Sequence, residues 1–142
     1  MTQDKELLLK DICARLPYGV KVLVDNKHWC DFDGHTPSKI TFDNSYRLVF
    51  LGTELGYVKP YLFPLSSMTD EQWRELFETA GYEVREEDCG RHTEMYYYDM
   101  VGHNNTLYPN CDAIDWLNAH HFDYRGLIEK SLALDATDKN IY

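Results

Sequence analysis

Four short runs of β-branched and aromatic residues, each ended by turn-forming residues, constrain the fold of this chain more than any other feature. The runs span residues 20–24, 28–32, 39–42 and 47–51, and Asp-Asn or Asp-Gly pairs lie between them. Runs of this length and composition between turn formers predict strands joined by tight turns. The pattern therefore predicts an antiparallel meander.

Two further features bear on the predicted sheet. We expect the run 57–63 to lie at a sheet edge, because Pro60 and Pro64 lack the amide hydrogen that a long central strand needs. Runs at 82–85 and 95–100 flank an acidic turn and predict a hairpin beside the first strands. The expected sheet has about four to six antiparallel strands.

Helical spacing of apolar residues predicts a helix at the N-terminus and another in the middle of the chain. The first spans 5–16, where leucine and isoleucine recur every three or four residues before a proline. The second begins at Thr69, whose capping box is completed by Gln72, and ends at Gly81. Its apolar face predicts burial of Trp73, Leu76, Phe77 and Ala80.

Two shorter helices are predicted at the C-terminal end. Asp112 is an N-cap residue for a third helix that continues to about His120, and Asp123 is an N-cap residue for a fourth. Residues 135–142 are expected to be a frayed tail. Together these elements predict one α+β domain over 1–142, with helices covering one side of a small antiparallel sheet.

Composition excludes several classes of protein. A chain of 142 residues with 44% hydrophobic residues can bury a core, and it has neither a signal-peptide pattern nor an apolar run long enough to cross a bilayer. We therefore expect a cytoplasmic protein without membrane contact. Four widely spaced cysteines are expected to be free thiols in that compartment.

Metal and catalytic motifs are incomplete in this sequence. Cys89 and His92 form a single Cys-x-x-His pair, and His28 with Cys30 forms another close pair, whereas structural zinc sites draw on two recognisable pairs. No local sequence motif places a nucleophilic side chain next to a general base. We therefore predict no catalytic residue, no metal site and no cofactor, and a metal-dependent hydrolase is the weakest of three functional hypotheses.

The net charge of −10 is concentrated in the middle of the chain. Residues 69–99 carry ten acidic side chains against three arginines, which argues against direct binding of nucleic acid and favours a basic surface on another protein. The alternative is a solvated face that only aids solubility. The candidate interaction surface comprises Glu71, Glu75 and Glu78 on the second helix and Glu86, Glu87 and Asp88 in the acidic turn.

A block at 115–128 combines aromatic, histidine, aspartate and arginine side chains around the predicted helix junction. Arg125 near a helix start opposes the helix dipole and needs an anionic partner. That partner is either Asp115 or Asp123, or a phosphate or carboxylate ligand bound to the helix start. The first case is a structural corner in which Trp116 stacks on His120. The second predicts a ligand site made by four residues: His120, His121, Asp123 and Arg125.

Three segments resemble a family of short uncharacterised proteins carried by phages and integrated mobile elements of gut bacteria. They are LLLKDICARLPYGVKV at 7–22, VKPYLFPLSSMTDE at 58–71 and IDWLNAHHFDYRGLIEK at 114–130. The resemblance covers about a third of the chain and carries over no functional residue. It implies a phage or prophage accessory gene acting in a bacterial cytoplasm.

Two functional hypotheses stand ahead of the hydrolase. The leading one is a non-enzymatic accessory protein that binds a host or phage protein with a basic surface, for example to counter a defence system. The second is a protein that binds or sequesters a nucleotide or another small anion at the helix junction around Arg125. The sequence leaves the oligomeric state open.

Overall fold

The computed structural model describes residues 2–79 and 111–142. The chain divides into two compact units, the first made of Met1–Leu65 with His121–Tyr142 and the second of Ser66–His120. Four α-helices and five strands in a mixed sheet occur among the described residues, so the predicted α+β class is confirmed. No helix in 2–79 or 111–142 combines the length and apolar character needed to cross a membrane.

The first unit opens with helix α1, Gln3–Arg15. The Thr2 hydroxyl accepts a hydrogen bond from the backbone N–H of Lys5, so the helix begins two residues before the predicted start. Leu8 and Ile12 are buried in the core, as their spacing predicts. A 3₁₀ turn, Leu16–Tyr18, follows, and Gly19 ends it in the left-handed region, at φ 72°.

The sheet of the first unit is built around one long strand. The strands are β1 (Lys21–Val24), β2 (Ser38–Lys39), β3 (Val58–Pro64), β4 (Phe122–Asp123) and β5 (Leu134–Asp135). β1 pairs antiparallel with β2 and with β3, whereas β4 and β5 each pair parallel with β3. The sheet is therefore mixed rather than wholly antiparallel, and a 3₁₀ turn, Leu65–Ser67, follows β3.

The expectation that 57–63 lies at a sheet edge is wrong, because β3 has strands on both sides. The backbone N–H of Asp25 donates to the Tyr57 carbonyl at 2.7 Å, and hydrogen-bonded pairs of an antiparallel ladder recur at every second residue. Pro60, opposite Val22, falls between these pairs. On its other side the parallel pairing begins only at Tyr61, so no ladder bond needs the missing N–H.

The strand prediction for 47–51 is also wrong, because this segment is helical. A π-helix spans Tyr46–Leu51 and continues into α2, Gly52–Leu55. Leu48 and Val49 are consecutive and both buried, which is incompatible with the alternation of a half-buried strand. Of the other predicted runs, 39–42 contributes only Lys39 to β2, and 28–32 forms turns.

The predicted fourth helix after Asp123 is replaced by turns. The Asp123 carboxylate does accept backbone N–H groups, from Leu127 and Ile128 at 3.0 and 2.9 Å. The chain then cannot continue as a helix, because Gly126 and Ser131 have φ values of 74° and 61°.

The predicted frayed tail, 135–142, is instead tied to the sheet. The backbone N–H of Ala136 donates to the Leu62 carbonyl at 2.8 Å, and the Tyr142 hydroxyl donates to the Tyr61 carbonyl at 2.7 Å. Parallel pairing of β5 with β3 places the tail along that strand. One backbone and one side-chain hydrogen bond therefore hold the C-terminal segment against β3.

The second unit contains α3, Asp70–Thr79, which packs against α4, Cys111–Ala119. The capping box is confirmed by two hydrogen bonds: the Thr69 N–H donates to Gln72 Oε1, and the Gln72 N–H donates to the Thr69 hydroxyl. Trp73, Leu76 and Phe77 are buried as predicted. The Gly81 stop, Ala80 and the hairpin at 82–85 and 95–100 lie outside the described residues.

Candidate functional site

The predicted ligand residue Arg125 is paired inside the protein. Its Nε lies 3.1 Å from Asp11 Oδ1, and the same carboxylate is 2.8 Å from Arg15 Nε. Asp11 and Arg15 are fully buried, and the Arg125 side chain is 18% exposed. The anionic partner is therefore Asp11, and neither Asp115 nor Asp123 supplies it.

The guanidinium groups of this cluster also pack on an aromatic ring. The ring of Tyr124 lies 5.3 Å from the Arg15 guanidinium carbon and 4.9 Å from that of Arg125. Arg125 Nη2 donates to the Tyr124 hydroxyl at 3.0 Å, and Arg15 Nη2 donates to the Phe122 carbonyl at 2.7 Å. Arginines held in this way are oriented by the protein, and the cluster joins α1 to the chain after β4.

The other predicted ligand residues make separate local contacts. The Asp123 carboxylate accepts the two backbone N–H groups described above. The His121 ring stacks on Tyr142 at 3.5 Å, within the first unit. In the second unit the His120 ring stacks on Trp116 at 3.9 Å, as predicted for a structural corner, and His120 Nδ1 lies 2.9 Å from the Trp116 carbonyl oxygen.

The acidic face predicted on the second helix is present on α3. Glu71, Glu75 and Glu78 are all exposed, on the side opposite its buried aromatic residues. Glu86, Glu87 and Asp88 lie outside the described residues. The α3 half of the candidate surface is therefore available to solvent.

Metal-binding residues do not converge in the described segments. Among residues 2–79 and 111–142 no group of three histidine, cysteine or acidic side chains is placed to hold a metal ion. His28 instead stacks on Tyr57, with ring centroids 4.6 Å apart, and Cys30 is an exposed free thiol. Cys89 and His92 lie outside the described residues.

An exposed aromatic surface, which the sequence analysis missed, lies on and just before the π-helix. We use the name aromatic surface for Phe42, Tyr46 and Phe50, which are 96%, 68% and 49% exposed. The rings of Tyr46 and Phe50 are 6.0 Å apart. The signal in the sequence is the spacing of four between these residues, which the strand interpretation of 47–51 concealed.

Contacts of Gly52 and Arg47 hold the π-helix and α2 against the rest of the first unit. Gly52 is buried, and a Cβ atom at this position would lie 2.7 Å from Val58 Cγ1, so glycine allows the helix to approach β3 closely. Arg47 makes two 2.7 Å hydrogen bonds to Asp31, and its guanidinium carbon lies 4.5 Å from the centre of the Trp29 ring. Hydrogen bonding to Arg47 lowers the pKa of Asp31.

A cleft lies elsewhere in the first unit, beside β1 and the C-terminal segment. Its volume is about 590 Å³, and basic or neutral side chains line it, among them Lys21, His35, Thr36 and Lys139. The buried side chain of Tyr61 forms part of the wall of the cleft. Burial raises the pKa of Tyr61, and the charge of Asp33 adds a smaller increase. No local sequence pattern indicates this cleft, because its lining residues come from four separate segments of the chain.

No protein-family model matches the chain, and neither a curated protein nor a solved structure matches it. Function is therefore inferred from the aromatic surface and from the cleft.

Proposed function

We propose that the protein acts without catalysing a reaction, by binding another protein through its aromatic surface. The supporting observation is the exposure of three large aromatic side chains, at Phe42, Tyr46 and Phe50, within nine residues of the chain. Aromatic side chains are enriched at protein interfaces because they contribute a large contact area at low conformational cost. Exposed apolar clusters on soluble proteins commonly mark such interfaces.

The charges beside the aromatic surface suggest the chemistry of the partner. Asp43 and Glu54 are exposed next to it in the sequence, at positions where a partner's Lys or Arg can pair with them. The chain as a whole carries −10, and Glu71, Glu75 and Glu78 provide a second exposed acidic face. We therefore propose a partner with an apolar cleft and a basic rim. Repulsion between two chains of −10 disfavours a second copy.

The biological setting is the one that the family resemblance implies. In this proposal the protein is a phage or mobile-element accessory protein in the bacterial cytoplasm, and its partner is a host or phage protein. Blocking a functional surface of that partner requires only binding, so a counter-defence role needs no active site. The resemblance of residues 7–22, 58–71 and 114–130 supports this setting.

Site-specific photo-crosslinking tests the aromatic surface. Benzoylphenylalanine is introduced in place of Phe42 or Tyr46, and in place of Lys59, an exposed residue of β3, as the control. We expect one partner to be crosslinked in host extract from positions 42 and 46 but not from 59. Once purified, that partner should bind the triple variant Phe42→Ser, Tyr46→Ser, Phe50→Ser at least about 10-fold more weakly, because buried aromatic anchors contribute most of an interface's affinity.

Two outcomes would overturn the proposal. If the partner bound the wild type and the triple variant with equal affinity, the aromatic surface would not be the binding site. A concentration-dependent dimer of the wild type in light scattering, absent in the triple variant, would assign the surface to self-association.

The acidic face has a separate test. Glu71→Lys, Glu75→Lys and Glu78→Lys should slow association with the same partner, and the effect should decrease as salt is added. Unchanged binding at low salt would limit the role of that face to solubility.

A further inference from the structure

We infer that the cleft beside β1 binds the phosphate group of a small phosphorylated molecule, with Lys21 and Lys139 as the principal contacts. Its volume of about 590 Å³ lies within the range of small-molecule sites, roughly 300–1,000 Å³. The described residues that line the cleft all belong to the first unit. This inference is independent of the aromatic surface.

The charges lining the cleft favour an anion. Lys21, Lys139 and His35 line it together with neutral side chains such as Thr36 and Asn140, and none of its lining residues in 2–79 and 111–142 carries a carboxylate. The first unit as a whole is close to neutral, with twelve acidic and eleven basic residues, so an anion is not repelled from it as it is from the acidic second unit. Lysine ammonium groups bind phosphate as compact point charges.

Asp33 lies beside the cleft, and its carboxylate oxygens already accept hydrogen bonds; the Asp135 carboxylate is close enough to Lys139 for their charges to interact. Asp33 accepts hydrogen bonds from the backbone N–H groups of His35 and Thr36, at 2.9 and 2.7 Å, and from the Thr36 hydroxyl. These bonds fix the turn that carries His35 and Thr36 to the rim. The Asp33 carboxylate is thus a structural support of this rim, and the two lysines come from other segments.

Lys21 is positioned by the C-terminal segment. Its Nζ donates to the Ile141 carbonyl at 2.8 Å and lies 5.9 Å from the centre of the Tyr142 ring. An ammonium group has three N–H donors, so two remain for a ligand. Lys139 is exposed in the turn between β5 and this anchor, where its backbone N–H donates to the Ala136 carbonyl at 3.2 Å.

The size of the cleft argues for a ligand larger than inorganic phosphate. Pro37 and the His35 ring provide surface against which an apolar or planar group can pack. The arginine that the sequence favoured as an anion contact, Arg125, is already paired with Asp11. The structure therefore moves the candidate anion site from the 120–125 segment to this cleft.

Binding to the complete chain is measured by thermal shift and by calorimetry, using inorganic phosphate and adenosine monophosphate at matched ionic strength. Lys139→Ala is the test variant, because this exposed side chain can be removed without loss of core packing. Lys59→Ala, which removes an exposed lysine outside the cleft, is the matched control. We expect the melting temperature of the wild type and of Lys59→Ala to rise with ligand concentration. Affinity should fall about 10-fold or more in Lys139→Ala, because a hydrogen bond to a charged group is lost.

Backbone amide shifts locate the binding site independently. Titration with adenosine monophosphate should move the signals of Thr36, Lys139 and Asn140 in the wild type. Tighter binding of the nucleotide than of phosphate supports a phosphate monoester as the ligand. The inference is overturned if neither probe binds, if Lys139→Ala and Lys59→Ala bind equally well, or if the shifted signals lie outside the cleft.

Discussion

The Nε atom of Arg125 lies 3.1 Å from a carboxylate oxygen of Asp11, a residue 114 positions earlier in the chain. The same carboxylate also pairs with Arg15, so one buried carboxylate balances the charge of two guanidinium groups. Removal of one partner from a buried ion pair leaves an uncompensated charge and is strongly destabilising. This arrangement makes Asp11 the centre of a structural lock between α1 and the chain after β4.

We expect Asp11→Ala to lower the free energy of unfolding by about 3–5 kcal/mol, because it leaves the buried Arg15 without its counter-ion. Arg125→Ala should cost less, about 1.5–3 kcal/mol, because Asp11 then still pairs with Arg15. Urea denaturation at neutral pH measures both values.

Lys130→Ala is the control for these two variants. Lys130 and Asp4 form an exposed pair 3.8 Å apart, and such pairs contribute about 0–1 kcal/mol. If Asp11→Ala were no more destabilising than Lys130→Ala, the proposed role of Asp11 in joining α1 to the chain after β4 would be refuted. If Arg125→Ala kept full stability, the interpretation of Arg125 as a ligand contact would regain support.

Gly52→Ala should destabilise the first unit by about 1–3 kcal/mol, because the added methyl group meets Val58 in a packed core. Val58→Ala alone should also destabilise it, by leaving a cavity. In the double variant the new methyl group occupies part of that space, so the two effects should not add. Additive losses in denaturant melts would show that the close approach of Gly52 to Val58 does not cause the effect.

Local sequence predicted the capping box of α3 correctly, whereas Asp112, predicted as the N-cap of the third helix, lies within the first turn of α4. Thr69 and Gln72 satisfy each other's backbone groups across three residues, so the signal and the structure occupy the same short segment. Asp123 shows the limit of such signals. It does bind two backbone N–H groups, but positive φ values at Gly126 and Ser131 turn the chain away from a helix.

Features that depend on distant residues were not predictable from local patterns. Pro60 argued for an edge strand, yet its place in a central strand follows from a register that only the pairing with Val22 reveals. The contact between Arg125 and Asp11 spans most of the chain, and the cleft joins Lys21 to Lys139. The aromatic surface was hidden for a different reason: residues 47–51 have strand-like composition but pack as a helix.

Asp33→Asn should destabilise the protein at neutral pH. The difference in stability between the variant and the wild type should disappear in acid. Hydrogen bonds from the Thr36 hydroxyl and from the backbone N–H groups of Thr36 and His35 lower the pKa of Asp33 from 3.8 to about 2. A lowered pKa means that the ionised form stabilises the fold. This contribution is present above about pH 4 and is lost as the pH falls towards 2.

Thermal melts of the wild type and Asp33→Asn across this pH range measure the difference. Thr36→Val removes only the hydroxyl donor and should show a smaller change of the same sign. A melting-temperature difference that stayed constant from neutral pH to pH 2 would contradict the assigned role of these bonds.

Tyr142→Phe tests whether the C-terminal segment is anchored by the Tyr142 hydroxyl. This hydroxyl donates to the Tyr61 carbonyl at 2.7 Å and accepts the Lys21 backbone N–H at 3.0 Å. Its loss should cost about 1 kcal/mol at neutral pH. Tyr46→Phe is the control, because Tyr46 is 68% exposed and its hydroxyl should contribute less than about 0.5 kcal/mol.

The pH dependence separates the hydroxyl of Tyr142 from general effects of alkali. Burial raises the pKa of Tyr142 from 10.0 to about 12, so the folded state favours the neutral phenol. The stabilising contribution is therefore complete below pH 10 and is lost as the pH rises towards 12. The difference in stability between the wild type and Tyr142→Phe separates this group from the general effect of alkali on the fold. A difference that persisted unchanged at pH 12 would show that the phenol is not held in its neutral form by the fold.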